Sequence, residues 1–157
     1  MVPIPIEELA KRADLVVWGT VESKSCQRDE KGRIYTKVDL AVKEVWKGRA
    51  QTNLLTLVQG GGILGEERVV VSGQTDYAID EEVVAFLVFN PAGEPVTLGM
   101  SQGKFRVWQD KRSGQKCVAN PFHGTGKIDA VPTAAAAEAV PAAGLLTLEN
   151  LKQQVRK

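Results

Sequence analysis

The chain has 157 residues, of which 43% are hydrophobic, enough to build one core without metals or many disulfides. Its 20 basic and 19 acidic residues leave a formal net charge of +1. The chain therefore lacks the excess of basic residues that is typical of proteins that bind nucleic acids or anionic membranes. No apolar run approaches the length that crosses a bilayer.

A short helix is predicted over residues 5–13, where Pro5 suits the first turn. Its apolar residues repeat at the spacing of one helix face, namely Ile6, Leu9, Ala10 and Ala13. We expect this face to pack on the rest of the chain.

Alternating apolar and polar residues, together with one continuous apolar run, then predict seven short strands and a further short one at 96–98. The seven cover 15–25, 33–45, 53–59, 68–72, 83–89, 103–109 and 115–119. In the second strand the alternation slips at Lys43 and Glu44, which indicates a β-bulge. The fifth is apolar throughout, which predicts a central strand buried on both faces.

These elements predict a single domain over 1–157. Many short strands with frequent turns are typical of a barrel or sandwich, so residues 5–120 are predicted to form a β-barrel core. Residues 121–145 are rich in Ala and Pro and are predicted to cover that core. A C-terminal helix is predicted over 147–156, with Thr147 as its cap. Its apolar stripe needs a partner surface, and it consists of Leu148, Leu151 and Val155.

The glycine run from Gly60 to Gly65 formally matches the G-x-G-x-x-G pattern of dinucleotide sites. Such a site needs a helix after the glycines, whose amides face the phosphates. Residues 66–72 contain three consecutive valines and predict a strand instead. We therefore interpret the glycines as a strand connection and predict no nucleotide cofactor.

No catalytic residue, metal site or cofactor is predicted. His123 is the only histidine, and no serine lies in a G-x-S-x-G nucleophile elbow. Cys117 with His123 is the one nucleophile and base pair that the sequence offers, and it is the third-ranked hypothesis. A closed zinc site would have only Cys26, Cys117 and His123 as soft or nitrogen ligands.

Two sets of residues leave alternatives open. Cys26 and Cys117 are either two buried thiols or a single disulfide. Four aromatic residues are predicted opposite the core set, either as an exposed binding surface or covered by the helices and the Ala/Pro segment. These aromatic residues are Trp18, Tyr35, Trp46 and Trp108.

Several stretches carry a family resemblance. The first three are Ala13-Asp14-Leu15-Val16-Val17-Trp18-Gly19-Thr20-Val21, Ile34-Tyr35 and Val42-Lys43-Glu44-Val45-Trp46-Lys47-Gly48. They resemble the opening of netrin-like domains, a group that includes the tissue inhibitors of metalloproteinases. Later stretches, at 59–62, 83–89 and 102–105, are similar to small exported bacterial proteins of uncharacterised function.

The resemblance covers roughly residues 5–120. It implies a mostly β fold, an OB-like antiparallel barrel with a short N-terminal helix and a C-terminal helix. It also implies export to the periplasm or the extracellular space, with the signal peptide absent from this chain. Protease inhibition does not carry over, because the family acts through an N-terminal cysteine and the first cysteine here is Cys26.

The leading functional hypothesis is a non-enzymatic, exported binding or accessory domain that recognises another protein. The alternative is an OB-like module that binds oligosaccharides or oligonucleotides on one strand face. Near-neutral charge disfavours the nucleic-acid form of that alternative.

Overall fold

The computed structural model describes residues 3–50, 53–69, 76–120, 123–124 and 146–156. Helix α1 is Ile6–Arg12, helix α2 is Leu148–Arg156, and a 3-10 turn covers Met100–Gly103. The strands are β1 (Leu15–Arg28), β2 (Ile34–Lys47), β3 (Leu54–Gly60), β4 (Gly62–Leu64), β5 (Glu67–Val69), β6 (Glu82–Phe89), β7 (Pro95–Thr97), β8 (Lys104–Gln109) and β9 (Lys116–Ala119). The predicted strand at 68–72 is therefore the second half of a hairpin, and residues 70–72 lie outside the described residues.

Seven strands form one antiparallel sheet in the order β3-β2-β1-β6-β8-β9, with β7 paired to β6. Strands β4 and β5 pair only with each other. The prediction of a mostly β, antiparallel fold with two helices is confirmed. No closed barrel is found among the described strands.

Strand β6 lies in the middle of the sheet, as its sequence predicts. It pairs with β1 on one side and with β8 and β7 on the other. Five consecutive residues, from Val83 to Leu87, have no exposed surface. Because successive side chains alternate between faces, both faces of the sheet must be covered here.

Two apolar clusters cover these faces. One lies beneath the helices and includes Val16, Phe86 and Phe105 together with Leu9 of α1 and Leu151 of α2. The helix stripes are therefore buried against the sheet, and Thr147 Oγ1 caps α2 by accepting a hydrogen bond from the Asn150 amide at 3.0 Å. The other cluster lies on the opposite face and consists of Leu15, Val17, Val21, Val38, Leu40, Leu57, Tyr77, Val83, Ala85 and Leu87.

The predicted β-bulge is confirmed at Lys43. Trp18 pairs with Glu44 and the next residue, Gly19, pairs with Val42, so Lys43 is the extra residue. A bulge bends its strand and redirects side chains. At this point the two backbones approach so closely that a Cβ on Gly19 would collide with the carbonyl oxygen of Ala41.

The sheet is strongly curved. Strand β3 forms one end of the strand order, yet it lies against β7, which is on the far side of β6. The turn after β1 and the turn after β6 also line one common groove. A flat sheet would hold these two turns at opposite ends of β1, so the curvature creates the groove.

Within the described residues, neither helix is long and apolar enough to cross a membrane.

Candidate functional site

The four predicted surface aromatics do not form one surface. Trp46 is not part of an exposed binding surface, because only 6% of it is exposed and it lies in the cluster beneath the helices. Its indole nitrogen donates to Glu44 at 3.0 Å, and Glu44 forms an ion pair with Lys152 of α2 at the same distance. Helix α2 therefore covers Trp46, the alternative that the sequence left open.

Trp18 is half-buried at the edge of the same cluster and is held by charged neighbours. Its indole nitrogen donates to Glu82 at 2.7 Å, while the ammonium groups of Lys43 and Lys116 lie 5.2 and 5.3 Å from its ring centroid. Lys116 also donates to Glu82 at 2.8 Å. The indole is thus engaged by groups from β2, β6 and β9 and is not an open stacking surface.

The carboxylate of Glu82 is partly buried, and its ionised form is stable there only if cations or hydrogen-bond donors lie beside it. Desolvation by burial acts to raise its pKa, but the hydrogen bonds from Lys116 and Trp18 and the charge of Lys43 outweigh it and leave the pKa below its usual range. The charge of Glu82 is therefore compensated, with one positive charge in excess, and we assign the cluster to joining strands across the sheet.

Tyr35 and Trp108 lie elsewhere. Tyr35 is opposite Gln27 on β1, nine residues beyond Trp18, a separation of up to about 30 Å along an extended strand. Trp108 lies three residues after Phe105, so strand alternation puts it on the face opposite to the helix-covered cluster. Of the four aromatics, Tyr35 alone lines the groove.

The two cysteines are unpaired, so the disulfide alternative is wrong. Cys26 lies on β1 beside Thr36, whereas Cys117 lies on β9, with β6 and β8 between them in the sheet. Three strand spacings are about 14 Å, and a disulfide needs Cα atoms within about 7 Å.

Cys117 and His123 do not form a nucleophile and base pair. The His123 ring nitrogen contacts the carbonyl oxygen of Ile4 at 2.8 Å, and the ring stacks on Phe105. Cys117 lies opposite Trp108 on β8. Burial, with the charge of Asp110, raises the pKa of the Cys117 thiol, which opposes formation of the reactive thiolate.

The glycine run forms a strand connection, as interpreted from the sequence. Gly62 begins β4, which makes a hairpin with β5, so no helix follows the glycines. Thr36 Oγ1 donates to the carbonyl oxygen of Gly61 at 2.8 Å. Gly62 has a φ of 140°, and a Cβ there would lie 2.6 Å from Thr36 Oγ1 and 2.8 Å from the Cys26 sulfur. Glycine is required because the chain passes directly over β1 and β2.

A concave feature among the described residues is an open groove of about 870 Å³. One wall is the turn between β1 and β2, the other is the turn between β6 and β7, and Val58, Gln59 and Gly60 of β3 lie between them with Val96 and Thr97 of β7. Ligand sites commonly have volumes of about 300–1,000 Å³. This groove is therefore large enough for a short polymer segment.

Both walls are fixed by one kind of turn. In the β1–β2 turn, Asp29 Oδ1 accepts hydrogen bonds from the amides of Lys31 and Arg33, each at 2.9 Å. The glycine in its fourth position, Gly32, has a φ of 80°. This left-handed conformation carries little penalty for glycine.

The β6–β7 turn repeats this pattern. Asn90 Oδ1 accepts hydrogen bonds from the amides of Ala92 and Glu94, at 3.0 and 2.9 Å. Gly93 occupies the fourth position with a φ of 81°. Side chains that bond their own turn in this way rigidify it, so both walls are preorganised.

The groove is charge-balanced, with Arg28, Lys31 and Arg33 against Asp29, Glu30 and Glu94. Asp29 is ionised, because the hydrogen bond from the Arg33 amide, together with the Arg33 and Lys31 contacts, lowers its pKa. This balance does not suit a polyanion.

The sequences of both turns are typical of turns, but they do not indicate the groove. Asp-x-x-Gly and Asn-Pro-x-Gly are recognisable turn patterns. Nothing in a local pattern indicates that the two turns face each other, since that depends on the curvature of the whole sheet.

Within the described residues, no group of three His, Cys, Asp or Glu side chains is placed to hold a metal ion. Comparison of the chain with protein-family models finds no match. Comparison with curated proteins likewise finds no match. The function is therefore argued from the groove itself.

Proposed function

We propose that this chain is a non-enzymatic binding domain that recognises another protein, and that the groove between the β1–β2 and β6–β7 turns takes a segment of that partner. The observation that carries the proposal is the groove of about 870 Å³ with two rigid walls. Rigid walls lower the ordering cost of binding.

We further propose that the sheet is an OB-like barrel whose seam lies between β3 and β7. The approach of β3 to β7 supports this, as does the order of β1 between β2 and β6. OB-like barrels often bind ligands beside their loops. The groove would then be the opening that the incomplete seam leaves.

The netrin-like relationship and export to the periplasm or the extracellular space are also proposals. Both rest on the sequence resemblance in 13–48 and the later stretches. The unpaired cysteines add no support for export, because a disulfide would have been the independent indication of an oxidising compartment.

A non-enzymatic role is supported by the positions of the groups that chemistry would need. His123 is held by Ile4 and Phe105, and Cys117 has a raised pKa. The charged side chains in the groove include Arg28 and Arg33, which form ion pairs with Glu67 and Asp29. These features suit recognition better than proton transfer.

Binding of a neutral oligosaccharide is the second candidate. The specific observation in its favour is the set of aromatic, amide and hydroxyl side chains in a charge-balanced groove, namely Tyr35, Gln59, Asn90 and Thr97. Such groups recognise sugars, but sugar-binding sites usually also have an exposed aromatic ring on which the sugar packs. Tyr35 is half-buried, and its hydroxyl donates to Gln27 at 3.1 Å.

The test uses one variant that obstructs the groove and one matched control. Ala92 and Lys111 are both exposed turn residues, and only Ala92 lines the groove. Peptides are selected from a random twelve-residue display library on the intact chain, and their affinities are measured by calorimetry for the wild type, Ala92→Trp and Lys111→Trp. We expect the first variant to weaken binding at least tenfold and the second to leave it unchanged.

Equal binding by wild type and Ala92→Trp would contradict the groove as the site. Failure to select any peptide, together with amide shifts in the groove when cello- or chito-oligosaccharides are added, would favour the second candidate over protein recognition.

A further inference from the structure

Some of the charged side chains that line the groove form ion pairs within the chain, and others do not. Arg28 forms an ion pair with Glu67 at 2.8 Å, and Arg33 forms one with Asp29 at 2.9 Å. Within the described residues, no ion pair involves the remaining three charged groups of the lining. These groups are Glu30, Lys31 and Glu94. The charge left for a ligand is therefore net negative, although the lining as a whole is balanced.

Glu94 is the better positioned of the two acids. Its amide donates to Asn90 Oδ1, its carbonyl oxygen accepts from the Asn90 amide at 2.9 Å, and its Oε1 accepts from Asn90 Nδ2 at 3.3 Å. A carboxylate has about four acceptor positions, so one amide contact leaves capacity for a ligand donor. The carboxylate is thus held in place before any ligand arrives.

The same groove offers surfaces for the apolar part of a long cationic side chain. Val58 and Val96 line it together with Tyr35. Lysine and arginine bury their methylene stems on such surfaces. Aromatic rings also attract the cationic group itself.

We propose that the groove takes a lysine or arginine side chain of the partner segment, with Glu94 as its counter-ion and Tyr35 as an aromatic wall. This inference rests on the proposed function and specifies the chemistry of the segment.

The experiment measures amide chemical shifts of the full chain in the presence of three probes. The probes are acetyl-Ala-Arg-Ala-amide and its counterparts with Gln or Glu at the centre. In the wild type at low salt we expect the Arg probe to bind at least fivefold more tightly than the Gln probe, and to shift amides of Tyr35, Glu94 and Thr97. Raising the salt concentration is expected to reduce that preference, because salt screens exposed charges.

In Glu94→Gln, the affinity for the Arg probe is expected to fall to within twofold of the affinity for the Gln probe. Glu149→Gln is the matched control, because Glu149 is an exposed acid on α2 outside the groove. This variant is expected to leave the affinities for all three probes unchanged. Tyr35→Leu is expected to weaken binding of the Arg probe two- to threefold, and an unchanged circular dichroism spectrum is the check on folding.

The outcomes distinguish failure of the cation inference from failure of the proposed function. Equal affinity for the Arg and Gln probes, or preference for the Glu probe, with shifts confined to the groove, would overturn the cation inference and leave the groove as a binding site. Absence of groove shifts with all three probes at millimolar concentration would overturn the inference and count against the proposed function as well.

Discussion

Asp29 and Asn90 occupy equivalent positions in two turns that face each other across the groove. Each side chain accepts hydrogen bonds from the amides two and four residues later in its turn, and each turn has a glycine with positive φ in its fourth position. One acidic and one amide residue therefore fix both walls with the same geometry. The groove's shape depends on these two side chains.

Asn90→Ala is expected to destabilise the chain by about 1–2 kcal/mol, because the amides of Ala92 and Glu94 lose their acceptor. Asn90→Asp keeps that acceptor but replaces the Nδ2 donor to Glu94 with a second carboxylate, so it is compared in high salt, which screens the repulsion, and is expected to be less destabilised there. Urea unfolding measures both. If the two variants are equally stable, the side-chain oxygen of Asn90 does not hold the turn.

The Asp29 turn is expected to be acid-sensitive. The hydrogen bond from the Arg33 amide is the main reason that the pKa of the Asp29 carboxylate in the folded chain lies below the usual value for an aspartate. The stabilisation is therefore present above the unfolded pKa and is lost as the pH falls through the folded pKa. The difference in urea midpoint between the wild type and Asp29→Ala should be smaller at pH 2.5 than at pH 7, because the lower pH lies below the ordinary pKa of an aspartate, roughly 3.9.

Persistence of the full difference at the lower pH would contradict this account of Asp29. The control is Glu7→Ala measured at the same two pH values, because Glu7 is an exposed acid on α1 and does not line the groove.

Gly19→Ala is expected to lower the free energy of unfolding by roughly 2–3 kcal/mol, as overpacking does. The new Cβ would collide with the carbonyl oxygen of Ala41, and a backbone atom in a sheet cannot easily move away. Ser25→Ala, at an exposed position of the same strand, should stay within about 0.5 kcal/mol. Thermal unfolding compares the two. Similar stabilities would mean that β1 and β2 do not approach as closely as described.

The cysteines should react in a fixed order. Cys26 is half-buried, while Cys117 is 1% exposed and has a raised pKa. Iodoacetamide is therefore expected to modify Cys26 first in the native chain and Cys117 only on unfolding, as followed by peptide mass spectrometry. Faster modification of Cys117 would revive the Cys117 and His123 hypothesis, and recovery of a disulfide would contradict the separation of the two thiols.

Local patterns predicted much of the fold because most elements follow local rules. The alternation in β2 located the bulge at Lys43, and the apolar run at 83–89 located the central strand, since burial on both faces leaves no polar position. Strand parity puts Trp46 among the surface aromatics, because parity alone does not show that α2 packs over it. The groove was missed for the same reason, since it arises from contacts between β3 and β7 that are distant in sequence.

Amide chemical-shift mapping with a library-selected peptide tests whether the groove binds a partner segment. We expect shifts concentrated at 28–35, 58–60 and 90–97, and we expect them to be lost in Ala92→Trp. Shifts concentrated instead around Trp18 and Lys116, or around Trp108, with the groove amides unchanged, would contradict it.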